Sequence, residues 1–485
     1  MKTYVKPFPL FVALGVLFAY LFYDGMVGVN VVVFDLVLLT VVLGVRPGLR
    51  WRSGFWWAVA GLLVSGGSVM IVSSTASMVA HAVSFLILLG FAQSRELRFI
   101  WYLLLLGGSS LLLGGRRLWR QHSGPIIEKR HRSELGRWTK QLARPLVLAV
   151  PFFVLYAIGS SGFWLGIENT LEPLLIWLGD TSLPYMMILF VLGLLLTVPF
   201  LYTGDEFELA DHAAGFDYQL ERKRYRRLKP FAFTALAGEY RQGVITLVLL
   251  NVLILFANVT DLSYLWITPG KLTAATLSEY VHVGTDSLTI SILLAMAYVL
   301  YFFRGNLNFY PGRGLLRKLT YYWLAQNAFL ALSVGLRNYY YVSAYGLAYG
   351  RIYVAFLLLL ILFGLFTLFR KVKFRLSFTY LLQTNGLALW FFLTVYGAVN
   401  WAGVITRVNL RQPEERIDWV YLIKGIDDRN TYLLSNHRQS VPRKFSKALQ
   451  HKQESAEADA AARDWRSWNY ATWRNRQGDR TLSPL

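Results

Sequence analysis

Long runs of Leu, Val, Phe and Ile recur along this chain, separated by short polar stretches, and none shows the period-2 alternation of a barrel strand. About 20 apolar residues are needed to cross about 30 Å of hydrocarbon, and only helices or closed barrels satisfy their own backbone there. The runs therefore predict helices, over 8–23, 28–45, 54–72, 78–92, 145–165, 184–202, 243–260, 287–303, 319–336, 350–369 and 379–402. A further run, 99–113, is short and interrupted by Gly107, Gly108, Ser109 and Ser110. It is expected to dip into the bilayer or lie along it. The fold class predicted is an all-α polytopic membrane protein with about eleven transmembrane helices, one re-entrant or interfacial helix and a small external C-terminal tail.

The polar stretches sort by charge. Arg46, Arg50 and Arg52 follow the second span, and nine Lys or Arg residues fill 116–144. Arg222 to Lys229 precede 243, Arg304, Arg313, Arg317 and Lys318 follow 303, and Arg370, Lys371, Lys373 and Arg375 follow 369. The alternate loops are nearly bare of cations: 166–183 has Glu168, Glu172 and Asp180 and no Lys or Arg. Short basic loops stay in the cytoplasm, so the N-terminus is expected inside and 403–485 outside. The apolar start of the chain reads as a retained anchor, with no small-residue cleavage site. The expected partition is 1–115, an N-terminal transmembrane segment; 116–144, a basic cytoplasmic loop; 145–402, the main transmembrane domain with a cytoplasmic loop at 203–242; and 403–485, a periplasmic tail.

Composition changes this picture little. Of 485 residues 55% are hydrophobic and 16% charged, against about 25% charged in soluble domains. The net charge of +21 belongs to span-flanking loops facing anionic lipid, so nucleic acid is not expected as a partner. With no Cys, disulfides, thiol catalysis and Cys-based metal sites are excluded. No glycine-rich phosphate loop, HExxH or ordered Ser/His/Asp set occurs, so no cofactor or resident metal is implied and enzymatic chemistry is not the leading expectation. A protein partner is expected, if anywhere, at 203–242 or at 403–485.

Polar residues within spans carry the candidate chemistry, because each is costly in lipid. Asp35 lies near the middle of 28–45, and Asn251, Gln326 and Asn327 lie in later spans. At the outer rim, Glu279, His282 and Asp286 stand at i, i+3 and i+7, on one helical face just before 287–303. Topology puts Asp261, Arg337, Asn338 and Arg351 at the same level. Three readings compete for that set: a structural ion-pair network, a ligand or ion site in which His282 titrates near neutral pH, and a metal-assisted hydrolytic site whose spacing matches no specific motif. For the whole chain, transport or ion coupling through 261–351 comes first, a scaffold or sensory partner second, and an enzyme acting on lipid or glycan third.

The run Glu279-Tyr-Val-His282-Val-Gly-Thr-Asp286, the Gln326-Asn327 pair, Arg337-Asn338 followed by Tyr345-Gly-Leu347 and Arg351, then Asn400-Trp401 and Asn409, resembles bacterial polytopic inner-membrane proteins of the domain-of-unknown-function 4173/4153 type. The resemblance covers about 240 to 435, with a weaker echo at Gly28–Phe34. It implies a bacterial inner membrane and brings no activity. Where that family would have Thr after the Gly-Leu pair, this chain has Ala348.

Overall fold

A computed structural model describes residues 8–93, 99–122, 182–201, 218–222, 232–263, 290–303 and 305–480. Among these residues the chain is helical, with no strand beyond one isolated bridge. The helices are α1 (Phe8–Phe22), α2 (Val29–Val45), α3 (Ser53–Ile71), α4 (Thr75–Gln93), α5 (Ile100–His122), α6 (Ser182–Leu201), α7 (Ala232–Asp261), α8 (Ile290–Phe302), α9 (Gly314–Tyr345), α10 (Tyr349–Phe374), α11 (Phe378–Ala398), α12 (Trp401–Asn409), α13 (Thr431–Asn436), α14 (Ser446–Ala462) and α15 (Tyr470–Arg480). Five described helices have the length and composition to cross a membrane: α3, α4, α7, α10 and α11. Shorter apolar helices cover Phe8–Phe22, Val29–Val45, Ile100–Leu111, Tyr185–Leu201 and Ile290–Phe302. This is a helical membrane protein, and each expected span within the described residues falls on one of these helices. The expected span 145–165 lies outside them.

The chain divides into two compact units. The first comprises Met1–Gly215, Leu393–Asn400 and His451–Leu485, and the second Phe216–Phe392 and Trp401–Gln450.

In the first unit α1 and α6 run antiparallel: the Phe18 side chain lies against Gly193, and the Tyr23 and Tyr185 rings meet at 6.1 Å. Helices α4 and α5 also run antiparallel and approach more closely. A Cβ on Gly90 would lie 2.2 Å from the Leu103 carbonyl oxygen, and one on Gly107 would lie 2.2 Å from that of Leu86. Lipid tails supply no hydrophobic drive between helices, so such small-residue contacts, where backbones touch, are what hold the pair together. The run expected to dip is thus one straight helix packed along α4. Its apolar part, Ile100–Leu111, is about 18 Å long at 1.5 Å per residue, about half of the hydrocarbon depth.

One end of this unit is basic. Arg46 and Arg52 donate to the Ala92 and Phe91 carbonyls at 2.6 and 3.3 Å, placing cations on the negative end of α4. The opposite end holds the C-terminal residues. There Val29 and Asn30 donate their N–H groups to the Trp468 and Arg466 carbonyls at 2.9 and 2.8 Å. These are first-turn donors of α2, which no residue of their own helix can satisfy. Arg463 donates to the Val27 carbonyl at 3.2 Å, and Arg466 donates to the Tyr20 carbonyl at 2.6 Å and to Asp24. Segment 463–468 therefore caps α2 and braces the α1–α2 turn.

The second unit centres on α7, α8, α9 and α10, around Leu247, Ile292, Leu316, Trp323, Val334 and Leu365. α7 is apolar on nearly every face; Phe256, for instance, is 73% exposed and faces lipid. Helices α7 and α9 are parallel, because Asn251 meets Leu319 and Gln326 while Asp261 meets Arg337. Consecutive parallel crossings need a return, and α8 supplies it, ending with Phe302 beside Gly243.

Candidate functional site

The polar residues of α7 share one stripe. Asn258 follows Asn251 by seven residues, nearly two whole turns, and Asp261 follows within one more. From Leu247 to Val259 the other residues of the helix are apolar, so this stripe marks the face that meets α9. Gln326 donates to the Asn251 Oδ1 at 2.7 Å, while Asn251 donates to the carbonyls of Leu247 at 2.7 Å and Leu319 at 3.2 Å. One level up, Asn258 donates to the Gln326 carbonyl at 3.1 Å. Interhelical amide bonds of this kind contribute roughly 1 kcal/mol each.

The stripe ends in a charge pair. Arg337 of α9 donates to the Asp261 Oδ1, and the two side chains are only 7% and 12% exposed. A charge-assisted bond away from water is about twice as strong as a neutral one, and losing Arg337 would leave the Asp261 carboxyl with no donor among the described residues. Next to it, Asn338 turns toward α10 and donates to the Arg351 carbonyl at 2.9 Å. Arg351 itself donates to the Gly346 carbonyl and stacks over the Tyr341 ring, 4.1 Å from its centre.

The α9–α10 corner is built around Gly346. Its φ of +78° lies in the left-handed region, and a Cβ there would stand 2.5 Å from the Asn409 Oδ1. Both constraints demand glycine. Asn409 then clamps the next residue from both sides: its Oδ1 accepts from the Leu347 N–H at 2.6 Å and its Nδ2 donates to the Leu347 carbonyl at 2.9 Å. Tyr349 donates its N–H to the Tyr421 hydroxyl and its own hydroxyl to Asp427, each at 3.1 Å. Burial alone would raise the Asp427 carboxyl. Arg429, through its guanidinium, its charge and its backbone N–H, together with the Tyr349 hydroxyl, outweighs that and holds the carboxyl below the usual carboxylate range. Residues 401–435 thus form a polar cap over the corner. Its fully buried Asn430 donates to the Thr406 Oγ1 and the Leu422 carbonyl at 2.9 and 3.0 Å.

Of the expected rim cluster, Asp261 and Arg337 come together directly, and Asn338 and Arg351 adjoin each other one layer away. Glu279, His282 and Asp286 lie outside the described residues. Gln326 and Asn251 form one pair, while Asn327 donates to the Trp323 carbonyl of its own helix at 2.8 Å.

Several oxygens of this region accept nothing from the described residues. They are Asn258 Oδ1, Asp261 Oδ2, Gln326 Oε1, Asn327 Oδ1 and Asn338 Oδ1, all buried.

A second polar centre lies in the first unit. Asp35 of α2 is 1% exposed, and its Oδ1 lies 3.8 Å from the His81 Nε2 of α4. The other face of the imidazole meets Ser65 of α3, Nδ1 to Oγ 3.4 Å. Sequence reasoning found Asp35 and missed both partners, which stand 30 and 46 residues away with no spacing to link them. It also missed Asn258, which the seven-residue step from Asn251 would have revealed.

No curated protein and no solved structure matches the chain. A family model described as "Domain of unknown function (DUF4153)" matches residues 55–434, from α3 through the polar cap and well over half of the chain. The chain belongs to the DUF4153 family.

Proposed function

We propose that this membrane protein moves or senses a cation, a proton included, along the α7–α9 stripe between Asn251 and the Asp261–Arg337 pair. The observation that carries this reading is the group of five buried acceptor oxygens with no donor among the described residues. An unsatisfied buried oxygen costs about 1–3 kcal/mol, and five in one region favour water, a proton or a metal cation there. The membrane is a bacterial inner membrane, on the resemblance of the motif residues. Loops rich in Arg and Lys face the cytoplasm against anionic lipid, and the tail from 403 faces the periplasm. A protein partner docks through 203–242 or the tail.

The test is flux in proteoliposomes under separate H⁺, Na⁺ and K⁺ gradients. Wild-type protein should pass one of these ions, and Asp261→Asn and Asn258→Leu should each lower the rate at least tenfold. No flux under any gradient would refute the reading. The directness of the Asp261–Arg337 pair and the Asn409 clamp favours a second reading, a rigid scaffold, in which both variants change stability and there is no flux to change.

A further inference from the structure

At the other end of the second unit, away from Asp261, several cations converge without acids. Arg313 precedes α9, Arg317 lies in its first turn, and Lys373 and Arg375 close α10. Among the described residues none of these four belongs to an ion pair, although Glu221 lies two residues from Gln219. They stand close enough to repel: burial first, then the charges of Arg375 and Arg317, hold the Arg313 guanidinium below its ordinary range. The Arg317 Nε is buried and donates to none of the described residues. Gln219, Leu220, Phe309, Lys373, Phe374 and Arg375 line an open cavity of about 310 Å³, and the Arg375 guanidinium lies 5.5 Å from the centre of the Phe309 ring.

Arg375 also occupies a backbone position that arginine does not favour. It ends α10 at φ +53°, ψ +46°, the left-handed conformation. The Leu376 N–H closes the helix onto the Lys371 carbonyl at 3.0 Å, and the Arg375 carbonyl accepts from Leu220 at 2.9 Å. Glycine is the usual residue at such a helix end, because any Cβ is strained there. Charge sorting across the bilayer counts cations and is indifferent to backbone conformation, so it does not account for arginine in this place. A charge needed at the cavity does.

We propose that Arg375, Lys373, Arg313 and Arg317 form a binding site for the phosphate headgroup of an anionic phospholipid, with Phe309 and Phe374 beside its glycerol end. Guanidinium pairs suit phosphodiester oxygens. The exposed rings of Phe374 and Phe378, 53% and 54% accessible, give the site an apolar border continuous with lipid. This site sharpens the general attraction of basic loops for anionic lipid and is independent of ion movement along α7 and α9.

The test titrates the full-length protein in detergent with short-chain phosphatidylglycerol, short-chain phosphatidylcholine and inorganic phosphate, reading bound lipid by native mass spectrometry and unfolding by thermal shift. Wild-type protein should prefer phosphatidylglycerol. Arg375→Gly relieves the backbone, so it should unfold no earlier than wild type in phosphatidylcholine while binding phosphatidylglycerol about fivefold more weakly. Lys373→Gln should weaken binding by about the same factor, and the double variant by about 25-fold. Phosphatidylglycerol affinity unchanged in both single variants would overturn the site. Displacement of the lipid by millimolar inorganic phosphate would assign the cavity to a soluble phosphate ester and overturn the lipid assignment.

Discussion

Replacing Arg337 by methionine removes the cation facing Asp261 and keeps most of the volume. Asp261 then stands at the end of α7 with no donor to either oxygen among the described residues, since its Oδ2 already has none there. Breaking a buried pair from one side costs roughly 3–5 kcal/mol. Asp261→Asn removes the carboxylate that accepts from Arg337 and should also destabilise the fold. The double variant Asp261→Asn/Arg337→Met leaves no charge behind, and buried pairs replaced as a unit are often close to neutral. The two single losses should therefore fail to add, with a coupling energy of about 3 kcal/mol or more. Equilibrium unfolding followed by tryptophan fluorescence gives all four corners of the cycle. Effects that add to within about 0.5 kcal/mol, the behaviour of independent sites, would show that the two side chains do not meet and would remove the outer pair from the account.

Gly346→Ala forces a left-handed Cβ onto the Asn409 amide and should destabilise the α9–α10 corner by about 2–4 kcal/mol, read as faster proteolysis within 401–435. Gly28→Val should push segment 463–468 off α2, because a Cβ at residue 28 would lie 2.3 Å from the Trp468 carbonyl oxygen; amide exchange at Val29 and Asn30 should rise and trypsin should reach Arg466. His81→Ala should destabilise by about 1–3 kcal/mol in thermal unfolding, because it empties the space beside the buried Asp35 carboxyl and removes the ring that meets Ser65. The Asp427 carboxyl is depressed in the folded state, so its stabilisation is complete above the unfolded value of about 3.9 and is lost as pH falls through the lower folded value. Asp427→Asn should therefore lower stability at neutral pH and flatten its decline below about pH 4, as a pH series of thermal unfolding would reveal.

Much of the helical layout was legible from periodicity and charge. Arg46 and Arg52 announced a basic end, and the structure puts both on the C-terminus of α4. Topology set Asp261 and Arg337 at one level among three acids, one His and two Arg, and which of these meet emerged only from the structure. What escaped was contact between distant residues on apolar helices. Nothing in the spacing of Asp35 and His81 announces that α2 and α4 set them side by side. Gly107 reads in sequence as a site of close packing or a kink, and the structure makes it a packing surface against Leu86. The tail concealed its role for another reason. It is the backbone carbonyls at 466 and 468 that cap α2, and carbonyls carry no sequence signature.

The orientation across the bilayer underlies the ion path and the lipid site alike, and the absence of native cysteine makes it directly measurable. Single cysteines at Gly48 and Ser440, both exposed, should behave oppositely in intact bacterial spheroplasts treated with an impermeant maleimide. Position 440 should label at once and position 48 only after lysis. Labelling of 48 from outside, or protection of 440 until lysis, would contradict the account.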